Sequence, residues 1–435
     1  MAKIQDKNRF YDLLRVYVDV LFKSSYRRVE YHGLEKIPKD GAIIYAPNHV
    51  NTLMDALAVL VMDNQDKVFV ARADIFKNPT ILKFLTFLKM LPINRKRDGI
   101  ENLVKNEEIN DIVVDVLRDQ VPFCIFPEGT HSHLHGLLPL VKGIFRIALQ
   151  AHNTFGDKMP LYLVPVGIEY GHFYRYRSSL LVQIGEPINV SQFVTENPDL
   201  SVPQQMNALR DQLSEQLKKV ILYIPNDANY QATWELSQLY GKEQHKRLKL
   251  RGDSLINRFI AVKETIRNVI SLLTSDPQKS QPLVDMTADF SRQRHAHGIG
   301  INSVLSPHIR WTFLGRFFLL LLGFPLFVFA AVATSPVTLS SVWLCSKFKD
   351  KAFHNTVRYL IALALLPVFL LLTGITLAIA YSSIWGALLA ILFIPFFFFV
   401  HEYTRLIRLF ISDTKWLMHK KLHKLFKQII LFKQD

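Results

Sequence analysis

The sequence predicts an α/β domain with a mixed, largely parallel sheet flanked by helices, followed by a helical connector and C-terminal membrane helices. Between residues 28 and 190, short apolar runs alternate with helical patterns, as they do in domains built around a parallel sheet. Residues 317–345 and 359–400 contain no charged side chain. Because about 20 apolar residues span a bilayer as a helix, these two stretches predict membrane insertion.

The composition narrows the classes of function. The 435 residues are 49% hydrophobic and 20% charged, which excludes a disordered chain. Lysine and arginine outnumber the acids by 52 to 37, a net charge of +15. Such an excess indicates an anionic partner. With membrane segments present, we expect membrane lipids and a phosphorylated substrate rather than nucleic acid. The two cysteines, Cys124 and Cys345, have neither a disulfide nor a metal-binding spacing.

Residues 1–27 predict an amphipathic, membrane-associated N-terminal helix. Within residues 9–23 the apolar side chains recur at helical spacing, at Phe10, Leu13, Leu14, Tyr17 and Leu21. Two interpretations remain open. The helix either packs on its own domain or lies in the membrane interface.

Residues 28–190 contain the alternating elements of the α/β domain. Strands are predicted at Ala42–Ala46, Val68–Ala71, Phe123–Phe126, Tyr162–Val166 and Leu180–Ile184. Helices are predicted at Asp55–Val61, Pro79–Met90, Asn102–Asp119 and Lys142–His152. The helix that begins at Pro79 is apolar nearly all round, which fits either burial in the core or a helix that dips into the membrane.

The rest of the chain divides into three parts. Residues 191–310 contain no recognisable motif and predict a helical insertion or connector, with helices at Pro203–Leu222, Tyr230–Tyr240 and Ser254–Leu273. Residues 311–400 hold the membrane segments. Residues 401–435 carry eight lysines and arginines against three acids. They predict a basic amphipathic tail on anionic lipid, with a solvated basic end as the alternative.

Short strings at the predicted strand ends carry the candidate chemistry. Asn48 and His49 follow the first predicted strand, and Asp55 follows closely. A histidine with a carboxylate partner has the parts of a general base and its orienting group. Asn94 and Arg95 end another short apolar run, where an arginine can bind a phosphate through two parallel hydrogen bonds.

A third string, Glu128-Gly129-Thr130, follows the predicted strand that begins at Phe123, and Lys142 comes shortly after it. It combines an acid, a hydroxyl and a glycine that permits close backbone approach to a ligand. Three alternating histidines follow, at His131, His133 and His135. They could share one side of an extended segment, but no cysteine or carboxylate set accompanies them, so we predict no metal site.

Together and in this order, these strings resemble the glycerolipid acyltransferase family, which includes glycerol-3-phosphate and lysophosphatidate acyltransferases. The resemblance covers about residues 28–190. It implies that His49 is the general base, oriented by Asp55, and that Arg95 binds the phosphate of the acceptor. It also implies that Glu128 and Gly129 line the acceptor site.

The same resemblance sets the predicted chemistry of the whole site. The remaining substrate-binding candidates are Asn48, Asn94, Thr130 and Lys142. The acyl group would come from a thioester, with acyl-CoA or acyl carrier protein as co-substrate, and no cofactor is expected. The acceptor is predicted to be glycerol-3-phosphate or a related phosphorylated glycerol. The alternatives are 1-acylglycerol-3-phosphate, another lysophospholipid, a lyso-aminolipid, or a non-catalytic lipid-binding membrane protein.

Two departures from the common family pattern refine this prediction. Five residues separate His49 from Asp55 instead of four, so the intervening loop must absorb one more residue. The third string continues with His131-Ser132 where the family commonly has Arg-Ser. Both features are similar to the branch of fungal-type glycerol-3-phosphate/dihydroxyacetone-phosphate acyltransferases, which also carries membrane segments after the catalytic domain.

The distribution of basic residues predicts the membrane topology. Cytoplasmic loops are rich in lysine and arginine, and basic residues flank residues 317–345 on both sides and fill the tail. Residues 359–400 then form a hairpin of two spans that turns near Ser382–Ser383. Residues 317–345 are too few to cross twice and contain Pro325 and Pro336, so we expect a re-entrant or surface-lying pair of short helices. The catalytic domain would face the cytoplasm of a bacterial inner membrane or of the endoplasmic reticulum.

Overall fold

The computed structural model describes residues 3–94 and 100–432. The chain forms two compact units. Unit 1 consists of Met1–Leu222 together with Lys351–Thr356, and unit 2 consists of Tyr223–Asp350 together with Val357–Asp435. Arg95 lies outside the described residues, so its predicted role stays a prediction.

A sheet forms the centre of unit 1, and its described strands run in the order β1-β7-β6-β2-β5-β3-β4, with β8 beside β6. The strands are β1 (Arg28–His32), β2 (Ala42–Pro47), β3 (Val68–Arg72), β4 (Met90–Ile93), β5 (Phe123–Cys124), β6 (Leu161–Tyr170), β7 (Ser179–Ile184) and β8 (Ile188–Asn189). Of the described pairs, β6–β7 and β6–β8 are antiparallel and the others are parallel. The predicted mixed, largely parallel sheet is confirmed.

Strand β2 lies inside the sheet between β6 and β5, and all six of its residues are buried. Strand β5 is two residues shorter than predicted, because the chain enters a turn in which the amide of Gly129 donates to the carbonyl of Phe126. Since β2, β3 and β5 run parallel, the residues that follow them come to one edge of the sheet. Functional sites form at that edge in α/β domains.

Helices cover the sheet of unit 1, and the four predicted within residues 28–190 are present with bounds shifted by a few residues. They are α1 (Arg9–Ser24), α2 (Leu53–Leu60), α3 (Pro79–Phe87), α4 (Ile100–Arg118), α5 (Gly143–Phe155), α6 (Val190–Glu196) and α7 (Val202–Val220). Helices α4, α5 and α7 join the sheet in one hydrophobic core, to which each contributes a regular apolar face. Helix α7, predicted as part of the connector, belongs to unit 1.

Helix α1 packs on unit 1 with a polar anchor and turns an apolar stripe outward. Arg15 is buried and donates to the carbonyl oxygens of Leu60, Asp63 and Gln65 at 2.5–3.1 Å. The exposed stripe consists of Phe10, Leu13, Val16 and Val20, which are 60–78% exposed. The helix therefore combines features of both interpretations of the N-terminus.

Helix α3 is not part of the core, since none of its residues is buried. The most exposed of its apolar side chains is Phe84, at 55%. Asn78 caps the helix by accepting from the amides of Thr80 and Ile81, and Pro79 occupies the first position. The alternative of burial in the core is therefore wrong for this helix.

Unit 2 begins with the helices of the connector. They are α8 (Tyr230–Arg247), α9 (Leu255–Ser275), α10 (Pro277–Ala296) and α11 (Ile301–Val304). Helix α10 begins within a segment that is rich in turn-forming residues. Its start is explained by Asp276, which caps the amide of Lys279, and by Pro277 at the first helical position.

Three described segments are long and apolar enough to cross a membrane: Ile309–Ala333, Phe353–Ala380 and Ile384–Met418. The helices of this region are α12 (Ile309–Ala333), α13 (Ser335–Lys347), α14 (Phe353–Ala380), α15 (Ile384–Leu388), α16 (Phe393–Met418) and α17 (Lys420–Phe432). The predicted helix break near Ser382–Ser383 is confirmed between α14 and α15.

A pair of short helices is predicted for residues 317–345, and this prediction is wrong for the first helix. Helix α12 has 25 residues and continues through Pro325, whereas Pro336 marks the first turn of the shorter α13. The helix also starts before the charge-free stretch and includes Arg316. That arginine is paired with the buried Asp413 within unit 2, so its charge is matched.

The basic tail is helical and amphipathic, and its apolar face is used inside the protein. Leu422 and Ile429 of α17 are fully buried in a cluster with side chains of α8 and α10. The hydroxyl of Tyr240 donates to the carbonyl of Ile429 at 2.8 Å. A fully solvated tail is therefore excluded.

Candidate active site

The central feature of the site is a histidine–aspartate pair at the carboxyl end of β2. His49 follows the strand, and Asp55 lies in the first turn of α2. The Nδ1 atom of His49 is 2.8 Å from Oδ2 of Asp55. The imidazole is 16% exposed and the carboxylate is fully buried. The two predicted catalytic residues are thus in direct contact, with the histidine at the surface of the site.

Four groups converge on the carboxylate of Asp55. Oδ2 accepts from the backbone amides of Val50 and Asn51 at 2.8 and 2.6 Å and contacts the ring of His49, and Oδ1 accepts from the hydroxyl of Tyr170 at 2.7 Å. The two backbone amides and the hydroxyl are donors, which matches an ionised carboxylate that only accepts. Nδ1 of His49 therefore carries the proton, which leaves the lone pair on Nε2. This is the tautomer that a general base needs.

The loop absorbs the fifth residue between His49 and Asp55 at Thr52. Its backbone has φ 44° and ψ −124°, and the amide of Met54 donates to the carbonyl of Asn51 at 3.0 Å. These angles are those of the first central position of a type II′ turn, which glycine normally occupies. A residue held in such a region stores about 1–3 kcal/mol of strain. The longer spacing is therefore compatible with a well-placed Asp55.

Glu128 is hydrogen-bonded to the loop that carries His49. Its Oε1 accepts from the backbone amide of His49 at 2.8 Å, and its Oε2 accepts from the amide of Leu138 at 2.9 Å. The side chain is buried, and this desolvation raises the pKa of Glu128 from 4.5 to about 7. The two backbone donors act in the opposite direction. Glu128 is therefore a titrating group that is hydrogen-bonded to the backbone amide of the candidate base, His49.

The loop after β5 forms one wall of the site. The ring of Phe126 stacks on the imidazole of His49, with 4.2 Å between centroids. The amide of Ser132 donates to the carbonyl of His49 at 3.1 Å. The ring of His131, which stands where the family commonly has arginine, lies 5.9 Å from the ring of His49 at 83°. This departure from the family pattern thus lies beside the candidate base.

Two of the predicted substrate-binding residues form hydrogen bonds within the protein. The side-chain amide of the buried Asn48 donates to the carbonyl of Ile168 at 3.2 Å and accepts from the backbone amide of Ile168 at 2.7 Å. Asn94 donates through its backbone amide to Oδ1 of Asn106 at 2.9 Å. These contacts fix the ends of β2 and β4, and a role in substrate binding stays a prediction for both residues.

The other predicted substrate-binding residues are accessible. Gly129, with φ 65°, and Thr130 lie in the loop after β5, where the hydroxyl-bearing Thr130 is exposed. Lys142 is exposed immediately before α5. An anion is stabilised near a helix N-terminus and near a lysine. The structure thus leaves this loop and Lys142 open to a ligand.

The sequence does not single out Tyr170, and it gives Phe126 no role of its own. Tyr170 ends β6, and it reaches Asp55 because β6 pairs with β2 in the sheet. An aromatic residue in an apolar strand carries no signal that separates it from the core. Phe126 opens the string Phe126-Pro127-Glu128-Gly129-Thr130, but nothing in the sequence predicts that its ring stacks on His49.

The alternating histidines face aromatic rings. His131 lies 5.8 Å from His133, and His135 lies 4.7 Å from Phe173. In the parts of the chain that the structure describes, no group of three or more histidine, cysteine, aspartate or glutamate residues is arranged to hold a metal ion.

Comparison with known proteins finds a similarity within unit 1. The family model described as Acyltransferase matches residues 28–169, which extend from β1 into β6 and include the His49–Asp55 pair. The resemblance to acyltransferases is confirmed for this part of the chain.

Individual relatives are similar over the same region. Glycerol-3-phosphate O-acyltransferase 1 of Saccharomyces cerevisiae is 27% identical over 129 residues, 29% of this chain and 17% of that protein. The 1-acyl-sn-glycerol-3-phosphate acyltransferase of Cocos nucifera is 29% identical over 150 residues, 34% of this chain and 44% of that protein. The chain thus spans less than half the length of these two curated relatives.

A solved structure is also similar. It is that of the 1-acyl-sn-glycerophosphate (LPA) acyltransferase from Thermotoga maritima. The match has 20% sequence identity and a TM-score of 0.35, and it covers 48% of this chain and 78% of that chain.

Proposed function

We propose that the protein is a membrane-bound acyltransferase that moves a fatty acyl group from an acyl thioester to a hydroxyl of glycerol-3-phosphate or a related phosphorylated glycerol. The observation that carries this proposal is the contact between Nδ1 of His49 and the buried carboxylate of Asp55, within a domain that matches the acyltransferase family. Acyl-CoA and acyl carrier protein are the two candidate donors.

The geometry supports a simple reaction sequence. Nε2 of His49 takes the proton from the acceptor hydroxyl while the oxygen attacks the thioester carbon, and Asp55 stabilises the imidazolium that forms. The new C–O bond forms and the C–S bond breaks. The proton on His49 then passes to the departing thiolate, so the products are an ester and a free thiol. Atoms and charges balance in this sequence with the two substrates and the chain's own residues.

The acceptor is the less defined of the two substrates. The names of the relatives include both glycerol-3-phosphate and 1-acylglycerol-3-phosphate acyltransferases. The five-residue spacing and His131 favour glycerol-3-phosphate, because they resemble the fungal-type branch. Purified protein in liposomes should be assayed with acyl-CoA and with acyl carrier protein, each against glycerol-3-phosphate, dihydroxyacetone phosphate and lysophospholipids. Activity with lysophospholipids alone would select the alternative acceptor class.

Replacement of the base tests the enzymatic proposal itself. His49→Ala should reduce kcat by about 10²–10⁴-fold, because that is the usual contribution of a general base. His32→Ala is the matched control, since His32 is a partly exposed histidine in β1 that pairs with Glu30. It should leave kcat unchanged. Near-native activity in folded His49→Ala protein would contradict the mechanism, and a wild-type protein that binds lipid without turnover would support the non-catalytic alternative.

We further propose that unit 1 contacts the membrane through α1 and α3. The exposed stripe of α1, represented by Phe10 and Leu13, and the exposed face of α3, represented by Phe84, have the composition of interfacial surfaces. The same chain carries three segments able to cross a bilayer, so a lipid surface is the natural partner. An acyl-chain substrate would reach the site from this surface.

The division of the chain into units supports a location of the whole of unit 1 on one side of the membrane. Lys351–Thr356 belongs to the same compact unit as Met1–Leu222, so an even number of crossings must separate the two stretches. Helix α12 is long enough to cross the bilayer, but α13, with 13 residues and about 20 Å, is too short to bring the chain back across a hydrocarbon core of about 30 Å. A full crossing by α12 would therefore put the two stretches of unit 1 on opposite faces. We therefore propose that residues 309–347 enter the bilayer and return to the same face, which the basic flanks mark as cytoplasmic.

Labelling in intact cells tests this sidedness. The background replaces Cys124 and Cys345, and a membrane-impermeant thiol reagent is applied from outside. A cysteine at Lys349 should react only after permeabilisation, whereas a cysteine at Ser382, in the turn of the hairpin, should react from outside. Reaction at Lys349 in intact cells would overturn the re-entrant arrangement.

A further inference from the structure

A short stretch from the C-terminal part of the chain belongs to unit 1. Residues Lys351–Thr356, here called the return segment, lie between α13 and the main length of α14. Ala352, Asn355 and Thr356 are buried, at 0–8% exposure, although two of them are polar. Buried polar side chains in native proteins have hydrogen-bond partners, and the partners here lie in the loop between His49 and Asp55 and beside it.

The closest contact joins two threonine hydroxyls. Oγ1 of Thr356 lies 2.8 Å from Oγ1 of Thr52, across 304 positions of the sequence. The hydroxyl of Thr52 also donates toward the carbonyl of Ala352 at 3.4 Å. Thr52 is therefore held by the return segment at the point where the loop turns into α2.

A second contact is shared with the same loop. Nδ2 of Asn355 donates to the carbonyl of Phe173 at 2.9 Å, and Nδ2 of Asn51 donates to the same carbonyl at 2.7 Å. The ring of Phe353 meets the ring of His131 edge-on at 5.9 Å, and His131 in turn lies beside His49. The return segment thus contacts both the loop between His49 and Asp55 and the loop after β5.

The backbone of Thr52 explains why these contacts matter. Its φ of 44° suits glycine, which adopts positive φ without steric cost, whereas a β-branched residue there is an outlier. A glycine, however, has no hydroxyl with which to reach Thr356. A strained residue persists where the surroundings hold it, and such strain concentrates at functional sites. The hydrogen bond to the return segment explains why a threonine occupies this strained position.

We infer that the return segment positions the catalytic loop, and that Thr356, through Thr52, keeps Asp55 and the amides beside it in register with His49. This inference rests on the proposed acyltransferase function. Thr356 is a positioning residue, since it acts on His49 through the loop. The enzyme would then require its membrane-linked C-terminal part for turnover as well as for anchoring.

The first test removes the hydroxyl of Thr356 at nearly constant shape. Thr356→Val should lower kcat by about 10–100-fold with little change in KM, because small displacements of catalytic groups have effects of that size. Thr356→Ser keeps the hydroxyl and should restore most of kcat. Thr376→Val is the matched control in the same helix, since its hydroxyl bonds only the carbonyl of Leu372, at 2.9 Å, among the described contacts.

The second test separates positioning from stability. Thr52→Gly relieves the backbone strain, so the melting temperature should stay the same or rise while kcat falls. Adding Thr356→Val to Thr52→Gly should then cause no further loss, because the two changes break the same link. Additive losses, or wild-type kcat in Thr52→Gly, would overturn the inference.

A third measurement does not depend on turnover. In the full-length protein in liposomes, hydrogen exchange of peptides covering residues 48–55 should become faster in Thr356→Val and stay unchanged in Thr376→Val, because the amides of Val50 and Asn51 lose their fixed acceptor. Unchanged exchange would refute the inference even if the enzyme assay failed. Failure of the wild-type protein to transfer acyl groups, combined with faster exchange, would refute the proposed function and leave the positioning role intact.

Discussion

The hydroxyl of Tyr170 lies 2.7 Å from Oδ1 of Asp55, although the two residues are 115 positions apart. The contact exists because β6 and β2 are neighbours, so the end of β6 comes alongside the loop that follows β2. Tyr170 is buried, and this desolvation raises its pKa well above the usual value, so the phenol stays protonated and donates. The aspartate is thus held from both of its oxygens.

Removal of this hydroxyl should affect both stability and rate. Tyr170→Phe leaves a buried carboxylate oxygen without its donor, so the free energy of unfolding should fall by about 1.5–3 kcal/mol, the usual worth of a bond to a charged group. kcat should fall as well, because the carboxylate of Asp55 is then held through Oδ2 alone among the described bonds. Tyr45→Phe is the control, since the buried hydroxyl of Tyr45 has no hydrogen-bond partner among the described residues. Denaturant titration and steady-state kinetics would check both variants, and equal behaviour of the two would contradict the assigned role.

Glu128 should contribute to the pH dependence of the enzyme. The ionised side chain of Glu128 accepts hydrogen bonds from the backbone amides of His49 and Leu138. With a pKa of about 7, this carboxylate becomes protonated as the pH falls through neutrality. We therefore expect kcat to fall as Glu128 is protonated. In Glu128→Gln this part of the pH dependence should disappear. A profile unchanged by the substitution would contradict the assignment.

The same shift predicts the sign of the stability change. Because the pKa of Glu128 is higher in the folded protein, the folded state binds the proton more tightly than the unfolded one. The contribution to stability is complete below about pH 4.5 and is lost as the pH rises to about 7. Glu128→Gln should therefore lose less stability than the wild type over that interval, as measured by melting temperature.

Arg95, which lies outside the described residues, keeps its predicted role as the phosphate ligand. Arg95→Lys retains the charge but loses the two-pronged hydrogen bonding of the guanidinium. KM for the phosphorylated acceptor should rise, while KM for the acyl donor changes less. A change confined to the donor would assign Arg95 to the carrier site instead.

The outward stripe of α1 should be in contact with lipid. A polarity-sensitive fluorophore on a cysteine at Leu13, which is 72% exposed, should show blue-shifted emission in liposomes and quenching by lipid-borne quenchers. The same probe at Val202, an exposed apolar residue at the start of α7, is the control and should report water. Identical spectra at the two sites would remove α1 from the membrane contact.

Much of unit 1 could be predicted because its signals are local. The buried run of β2, the turn after it and the helix that begins at Leu53 are continuous in sequence, so the pairing of His49 with Asp55 follows from a single short stretch of chain. Strand β1 could not be predicted in the same way, because its charged and polar residues do not form an apolar run. It is a strand because it pairs with β7.

The remaining parts of the site depend on contacts between distant segments. Tyr170 resembles any other aromatic residue in a strand, and Thr356 lies in a stretch whose apolar surroundings indicate only a membrane helix. The length of α12 escapes prediction for another reason. The absence of charge is a poor guide to where this helix starts, because Asp413 accommodates Arg316 within it.

The return segment also bears on how such a protein can be divided or recombined. Residues 3–222 contain the described strands of the sheet, yet the hydroxyl that meets Thr52 is encoded beyond α12 and α13. If the return segment positions the loop as proposed, the unit that matches the acyltransferase family is not a portable module. An exchange of the C-terminal helices for another anchor would then have to carry residues 351–356 along, and a proteolytic cut between α13 and α14 would leave Thr52 and Thr356 on two separate polypeptides, joined only by noncovalent contacts.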